Sequence, residues 1–219
     1  MSERRGQHEP RRSSFRAHAV SYGSVGATAD PEVLRYPPQG FRATEDTVKI
    51  GSGAERFERA AAELMSWTAQ LAAGWQPEKI SVGTGSQYAG LRFDEAGKPL
   101  ADQSGHVLDS LEPVAATEQI SAGMTAVLRR KRFIGSTLLP ILIVYVIDEP
   151  NRVGFAYGTT KAGAEIGERL FVLEHRDDDS VWFTVRSVLQ FTGPFAGRAR
   201  RRSQADTQLE LQALHPAFV

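Results

Sequence analysis

Apolar and polar positions follow two different periods along this chain. Phe57, Ala60, Ala61, Leu64, Met65, Thr68, Leu71 and Ala72 recur at three- and four-residue steps, while Glu55, Arg56, Glu58, Arg59 and Glu63 take the remaining faces. That spacing predicts one amphipathic helix of about five turns, stopped by Gly74. Just before it, Thr47-Val48-Lys49-Ile50 alternates as a short strand and Gly51-Ser52-Gly53 ends it. Residues 19–45 carry turn chemistry with a few apolar anchors (Tyr22, Val25, Pro31, Tyr36), as expected of a segment laid across a domain surface.

The last third switches to a period of two. Ile141 to Ile147 is a β-branched apolar run, expected as a strand covered on both faces. Asp148-Glu149-Pro150-Asn151 supplies a turn with proline in its favoured second position. Val153, Phe155, Tyr157 and Thr159 then alternate with Gly154, Ala156 and Gly158, so one face is bulky and the other lets something approach the backbone. Leu170 to His175 and Val181 to Phe191 are two more strands around a turn at Asp177-Asp178-Asp179-Ser180. Shorter strands are expected at Ile80 to Val82, Tyr88 to Phe93 and Thr125 to Leu128, with a turn at Glu95 to Pro99. Phe195 to Leu214 is a polar, weakly amphipathic helix. The fold class is therefore α+β: a curved antiparallel meander, one long early helix and a C-terminal helix. Few helices face a broad sheet, so packed side chains or a pocket must fill the space between them.

Composition narrows the chemistry. The 219 residues contain no cysteine, which excludes disulfides, thiolate metal sites and a cysteine nucleophile. With 26 basic and 26 acidic residues, the net charge of zero argues against coating nucleic acid or an acidic membrane through an overall field. The Arg-rich stretch 1–18 has almost nothing to bury and is expected to be a disordered arm; no apolar run follows its arginines as in an export signal. The run Phe133 to Ile147, broken by Gly135 and Pro140, is shorter than the roughly 20 apolar residues of a membrane helix. A cytoplasmic location without a membrane span is the expectation.

Certain residues carry a resemblance. Tyr22-x-x-Val25-Gly26-Ala27-Thr28, Pro38-x-Gly40-Phe41, Val48-x-Ile50-Gly51-x-Gly53-x-x-x-Phe57-x-x-Ala60 and Trp67 resemble the opening of the domain of unknown function 1990 family. Val144 to Thr159, Gly167-Glu168, Phe171-Val172 and Val181 to Val185 are similar to its later blocks. The resemblance spans Tyr22 to Phe191 and implies a group of uncharacterised bacterial and plant proteins, with a helix-grip fold like that of the START and Bet v-like superfamily. Two departures stand out: Ser86 to Thr125 looks like an insertion, and Thr160-Lys161 replaces the family's usual histidine and proline. The organisation expected is thus an arm (1–18), one α+β domain (19–195, with 86–125 inserted) and a polar helix and tail (196–219).

Candidate site residues are weighed on that frame. Glu149, Tyr157, Glu165 and Glu168 form a polar cluster within the family-like segment. A carboxylate beside a tyrosine in an apolar cavity could serve as general acid or base, so Tyr157, Glu168 and Glu149 are the catalytic candidates. The competing reading is structural: Glu149 in a turn, and Glu168 paired with Arg152 or Arg169. Phe155, Tyr157, Phe171, Phe183, Trp182 and Trp67 are core residues that could also line a pocket for a flat apolar ligand. Gly51-Ser52-Gly53 lacks the rest of a nucleotide loop and reads as a tight turn. The histidines (8, 18, 106, 175, 215) have no metal-pair spacing; no metal or cofactor is expected, and His175 is expected exposed at a hairpin end. The runs Arg129 to Arg132 and Arg198 to Arg202 lack interleaved aromatics, so solvated charge is preferred over nucleic-acid contact. The leading expectation is a small apolar ligand held between sheet and helix. The alternatives are a cyclase- or lyase-type enzyme using Tyr157 with a nearby glutamate, and a module whose Arg-rich ends contact nucleic acid or an acidic partner. Oligomeric state is left open.

Overall fold

A computed structural model describes residues 20–82 and 119–215. The arm 1–18, the strand at Tyr88 to Phe93, the turn at Glu95 to Pro99 and most of the insertion lie outside these residues. The described chain runs β1 (Arg42–Ser52), α1 (Ala54–Leu64), α2 (Thr68–Ala72), β2 (Gln76–Ser81), β3 (Thr125–Lys131), β4 (Ser136–Glu149), β5 (Arg152–Thr159), β6 (Glu165–His175), β7 (Ser180–Phe191) and α3 (Ala196–Ala213). All seven strands form one antiparallel sheet in the order β1-β7-β6-β5-β4-β3-β2. The three helices pack on one face of it, which makes the fold α+β with a gripped C-terminal helix.

The meander from β4 to β7 is the part most directly dictated by alternation. Along β5 and β6 the side chains of Phe155, Tyr157, Phe171 and Leu173 point to the helix side, while Ala156, Leu170 and Val172 form a smaller cluster on the outer face with Tyr145 and Ile147. Phe155 stacks on Phe171 with centroids 5.4 Å apart, and Tyr157 stacks on the same ring at 5.6 Å. Burying each such ring is worth roughly 1.5–3 kcal/mol, so this trio anchors the core.

Several elements differ from the sequence expectation, among them β2, which starts at Gln76 rather than Ile80, and β6, which starts at Glu165 rather than Leu170. β1 begins at Arg42 rather than Thr47, because backbone pairing from Arg42↔Leu189 onward extends the polar edge strand beyond its alternating stretch. The single early helix is two: α1 ends at Leu64, and Trp67 adopts a left-handed conformation (φ 66°) before α2 begins. The periodicity survives the break since Leu64, Met65, Trp67 and Ala69 all enter one core. Trp67 meets Phe155 edge-on at 5.9 Å. The run Ile141 to Ile147 shifts register between Ile143 and Tyr145; Ile141 and Ile143 are buried on the helix side, whereas its other residues are half-buried. At the far end of the insertion, Ile120 and Met124 belong to the main core.

Gly51-Ser52-Gly53 is a strand-to-helix turn. Gly51 (φ 146°) and Gly53 (φ 91°) take backbone conformations closed to most side chains, and the Arg56 side chain packs over Gly51.

Candidate functional site

The segment 20–41 crosses the outer face and is fastened there by one side chain. Glu168 accepts hydrogen bonds from the Tyr22 hydroxyl (2.7 Å), the Gly26 amide (2.8 Å), the Thr28 amide (3.0 Å) and the Thr28 hydroxyl. Thr28 Oγ1 also lies 2.7 Å from the Tyr145 hydroxyl. Glu168 is completely buried, and four donors converge on its two oxygens, as a buried carboxylate requires. The Tyr22 ring fits because Gly158 has no Cβ; one there would stand 2.1 Å from the Tyr22 hydroxyl. This is the close approach that the small face of β5 anticipates. Burial, then the Glu168 charge, pushes the Tyr22 hydroxyl far above its ordinary pKa.

Strand alternation sends the next residue the other way. Arg169 projects to the helix side and meets Glu210 of α3 through two bonds, 2.7 and 3.2 Å. Its guanidinium also donates to Thr207 Oγ1 (2.6 Å) and Ser187 Oγ (3.3 Å). One turn earlier on α3, Asp206 pairs with Arg130 at 2.8 Å and accepts from the Trp75 indole at 3.3 Å. Arg130 lies over the Trp75 ring, 4.0 Å from its centroid, and donates to the Ala73 carbonyl. α3 is therefore held by two buried arginines through Asp206, Thr207 and Glu210, which continue a buried polar stripe that begins at Ser203. Burial raises the Glu210 carboxyl to about 7, with Arg169 opposing the rise; burial also raises the Glu165 carboxyl nearby.

Beside this ionic layer a cleft of about 310 Å³ opens between α3 and the β1–β7 edge of the sheet. Ser187 and Thr207 line it and are the two hydroxyls that Arg169 contacts from beneath. Leu189 and Phe191 form its apolar wall, and Arg42 and Arg200 stand at the end nearest the start of α3. Neither arginine has an ion-pair partner among the described residues. A further hollow of about 310 Å³ continues past Asp46 toward Leu211 and His215. The cleft thus runs from a cationic end, over an apolar wall, to an end carrying one acid.

The residues singled out from the sequence are distributed differently. Tyr157 and Glu168 lie on opposite faces of the sheet, and Glu149 is exposed at the β4–β5 turn, so the three do not meet. The carboxylates acting on Tyr157 are Glu210 and Glu165, while Arg169 bonds its hydroxyl and burial raises its pKa. Phe155, Tyr157, Phe171, Phe183 and Trp67 are 0–1% exposed and pack on one another; Trp182 is outside that core, under Arg176 and donating to Ser180. Glu168 pairs with neither arginine considered for it: Arg152 faces Glu174 at 3.5 Å and Arg169 faces Glu210. The run Arg129 to Arg132 forms the end of β3 and the residue after it; Arg130 is buried and Arg129 faces Glu78 at 3.4 Å, so the run is not uniformly solvated. His175 is half-buried, stacked on Phe57 and 2.9 Å from Asp179. No cluster that could hold a metal ion occurs among the described residues, and no helix there is long and apolar enough to cross a membrane.

Sheet, gripped helix and lateral cleft together define an α+β protein with one broad antiparallel sheet. The chain belongs to the family described as "Domain of unknown function (DUF1990)", which it matches over residues 21–81 and 72–205. A "UPF0548 protein" of Deinococcus radiodurans is 27% identical over 195 residues, covering 85% of this chain and 83% of the relative. Among solved structures, a hypothetical protein of Helicobacter pylori shares 12% identity with a TM-score of 0.47, covering 90% of this chain and 94% of that one. A START superfamily protein of Mycobacterium smegmatis shares 12% identity with a TM-score of 0.38, covering 80% and 99%.

Proposed function

We propose that this protein binds a small amphipathic organic anion in the cleft between α3 and the β1–β7 edge. The observation that supports this reading is the pairing of two uncommitted guanidinium groups, Arg42 and Arg200, with the apolar wall of Leu189 and Phe191. An anionic head would sit between the arginines and its apolar body along the wall. A volume of about 310 Å³ is at the small end of ligand pockets. The site moves away from the aromatic set Phe155, Tyr157, Phe171, Phe183 and Trp67, because those rings fill the sheet–helix space with one another.

The test is titration of the full chain with 8-anilinonaphthalene-1-sulfonate, an aromatic anion of suitable size, followed by fluorescence. Saturable binding at one site is expected, weakened about tenfold or more in the Arg42→Gln, Arg200→Gln double variant. Binding that does not saturate, or that the double variant leaves unchanged, overturns the reading.

A further inference from the structure

The β3–β4, β5–β6 and β7–α3 connections all lie at one end of the sheet, as the antiparallel register requires. At that end the β3–β4 hairpin, closed by the Arg132 amide on the Gly135 carbonyl (3.1 Å), carries two large apolar residues on its tip. Phe133 is completely exposed and Ile134 is 86% exposed. Phe195, 73% exposed, stands at the same end in front of α3. Scattered surface apolar residues are ordinary, but a phenylalanine and an isoleucine side by side on a projecting tip bury nothing for the fold.

Arginines gather near this tip although the whole chain is neutral. Arg132 flanks Phe133 in sequence. Arg202 lies within electrostatic reach of Arg130, Arg132 and Arg198; partial burial and then Arg130 lower its pKa, Asp206 opposes the fall, and Arg132 and Arg198 add to it. The opening turns of α3 contain Arg198, Arg200, Arg201 and Arg202, with no acid in the first turn and no side-chain cap on Phe195. Helix N-termini favour acids, so this arrangement opposes the helix dipole. The acids of α3, Asp206 and Glu210, are instead in its second half. Asp206 and Glu210 are committed to Arg130 and Arg169, whereas the arginines of the first turns make no ion pair among the described residues and so remain available to an anionic partner.

We propose that this end of the molecule docks on an anionic lipid bilayer, with Phe133 and Ile134 entering the acyl boundary and Arg132, Arg198 and Arg202 facing the headgroups. Hydrocarbon is the occupant that suits the tip: a phosphate backbone would engage the arginines but leave Ile134 in water, and an aliphatic side chain cannot stack on bases. Docking here would be peripheral, without a spanning helix. It stands independently of the cleft reading.

The test is co-sedimentation of the full chain with vesicles of phosphatidylserine and phosphatidylcholine, against vesicles of phosphatidylcholine alone. Binding to the anionic vesicles is expected, falling as salt is raised. Phe133→Ser with Ile134→Ser should lower the partition coefficient roughly tenfold or more, and each of Arg132→Gln, Arg198→Gln and Arg202→Gln about fivefold. Because the tip side chains pack on nothing, the serine variant should keep its melting temperature. Ala205→Trp, which fills the cleft, should leave vesicle binding intact, so the two readings fail separately. Absence of binding to anionic vesicles, equal binding to neutral ones, or indifference to the serine substitutions overturns the proposal. So does a self-associating wild type that the serine variant turns into monomer, or an RNA oligonucleotide bound in preference to vesicles.

Discussion

The Tyr22 hydroxyl donates to Glu168 at 2.7 Å across 146 positions of sequence and closes the outer face of the sheet. Both residues lie within the stretches that match the family, and neither faces the helices. Glu168 therefore organises the N-terminal segment. Tyr22→Phe should cost about 1.5–3 kcal/mol, the range for a hydrogen bond to a charged group. Glu168→Gln should cost about 3 kcal/mol or more, because an amide N–H₂ would then confront donors. Chemical denaturation measures both; a Glu168→Gln variant as stable as wild type would show that the fastening is incidental.

Gly158 supplies the space for the same ring. Its Cβ in Gly158→Ala would meet the Tyr22 hydroxyl and the adjoining ring carbons. A loss of about 1–3 kcal/mol is expected in the wild-type background. In Tyr22→Ala the obstruction is gone, and the alanine should be nearly neutral. The double-mutant cycle should thus return a coupling of about 0.5–3 kcal/mol, whereas strict additivity would place the glycine's importance elsewhere.

On the opposite face, Glu210 gives stability a characteristic pH dependence. Its carboxyl titrates at about 7 in the folded protein and at an ordinary 4.5 when exposed. Between those values the folded state binds a proton that the unfolded chain has released, so stability falls as pH rises through that window and levels off above it. Other groups titrate there too, Glu165 in the same direction. The readout is therefore the difference between wild type and Glu210→Gln, whose own curve should lack this component. Glu210→Ala, which strands the buried Arg169 charge, should cost about 3–5 kcal/mol at neutral pH. An identical slope in wild type and Glu210→Gln would assign the dependence to other groups.

How far these features are legible in the sequence follows from which forces write them. Strands β4 to β7 and their turns can be read directly, because two-residue alternation and Pro, Asp and Asn turn chemistry are local. The break at Trp67 is hidden, since the apolar spacing continues across it. The polarity of Glu168 and Arg169 is visible, but their opposite destinations depend on pairing partners more than a hundred and about forty residues away. One signal was available: Ser203, Asp206, Thr207 and Glu210 recur at helical spacing and form a polar stripe as regular as an apolar one. Low amphipathicity in α3 reflects a buried polar face, and the arginines that complement it come from β3 and β6.

The cleft can be tested by filling it, without touching its charges. Ala205 lines the cleft from an exposed position on α3, so a larger side chain there meets open space first. Ala205→Trp should leave unfolding free energy within about 0.5 kcal/mol of wild type, as for an ordinary surface substitution. Its indole would occupy the volume between α3 and Leu189, and binding of 8-anilinonaphthalene-1-sulfonate should fall about tenfold or more. Arg42 and Arg200 remain in place in this variant, so residual attraction of the anion should persist as weak, salt-sensitive, unsaturable association. That pattern separates enclosure by the cleft from simple attraction to arginine: saturable binding that survives Ala205→Trp would place the probe on the open surface, and the cleft would then have no role in holding it.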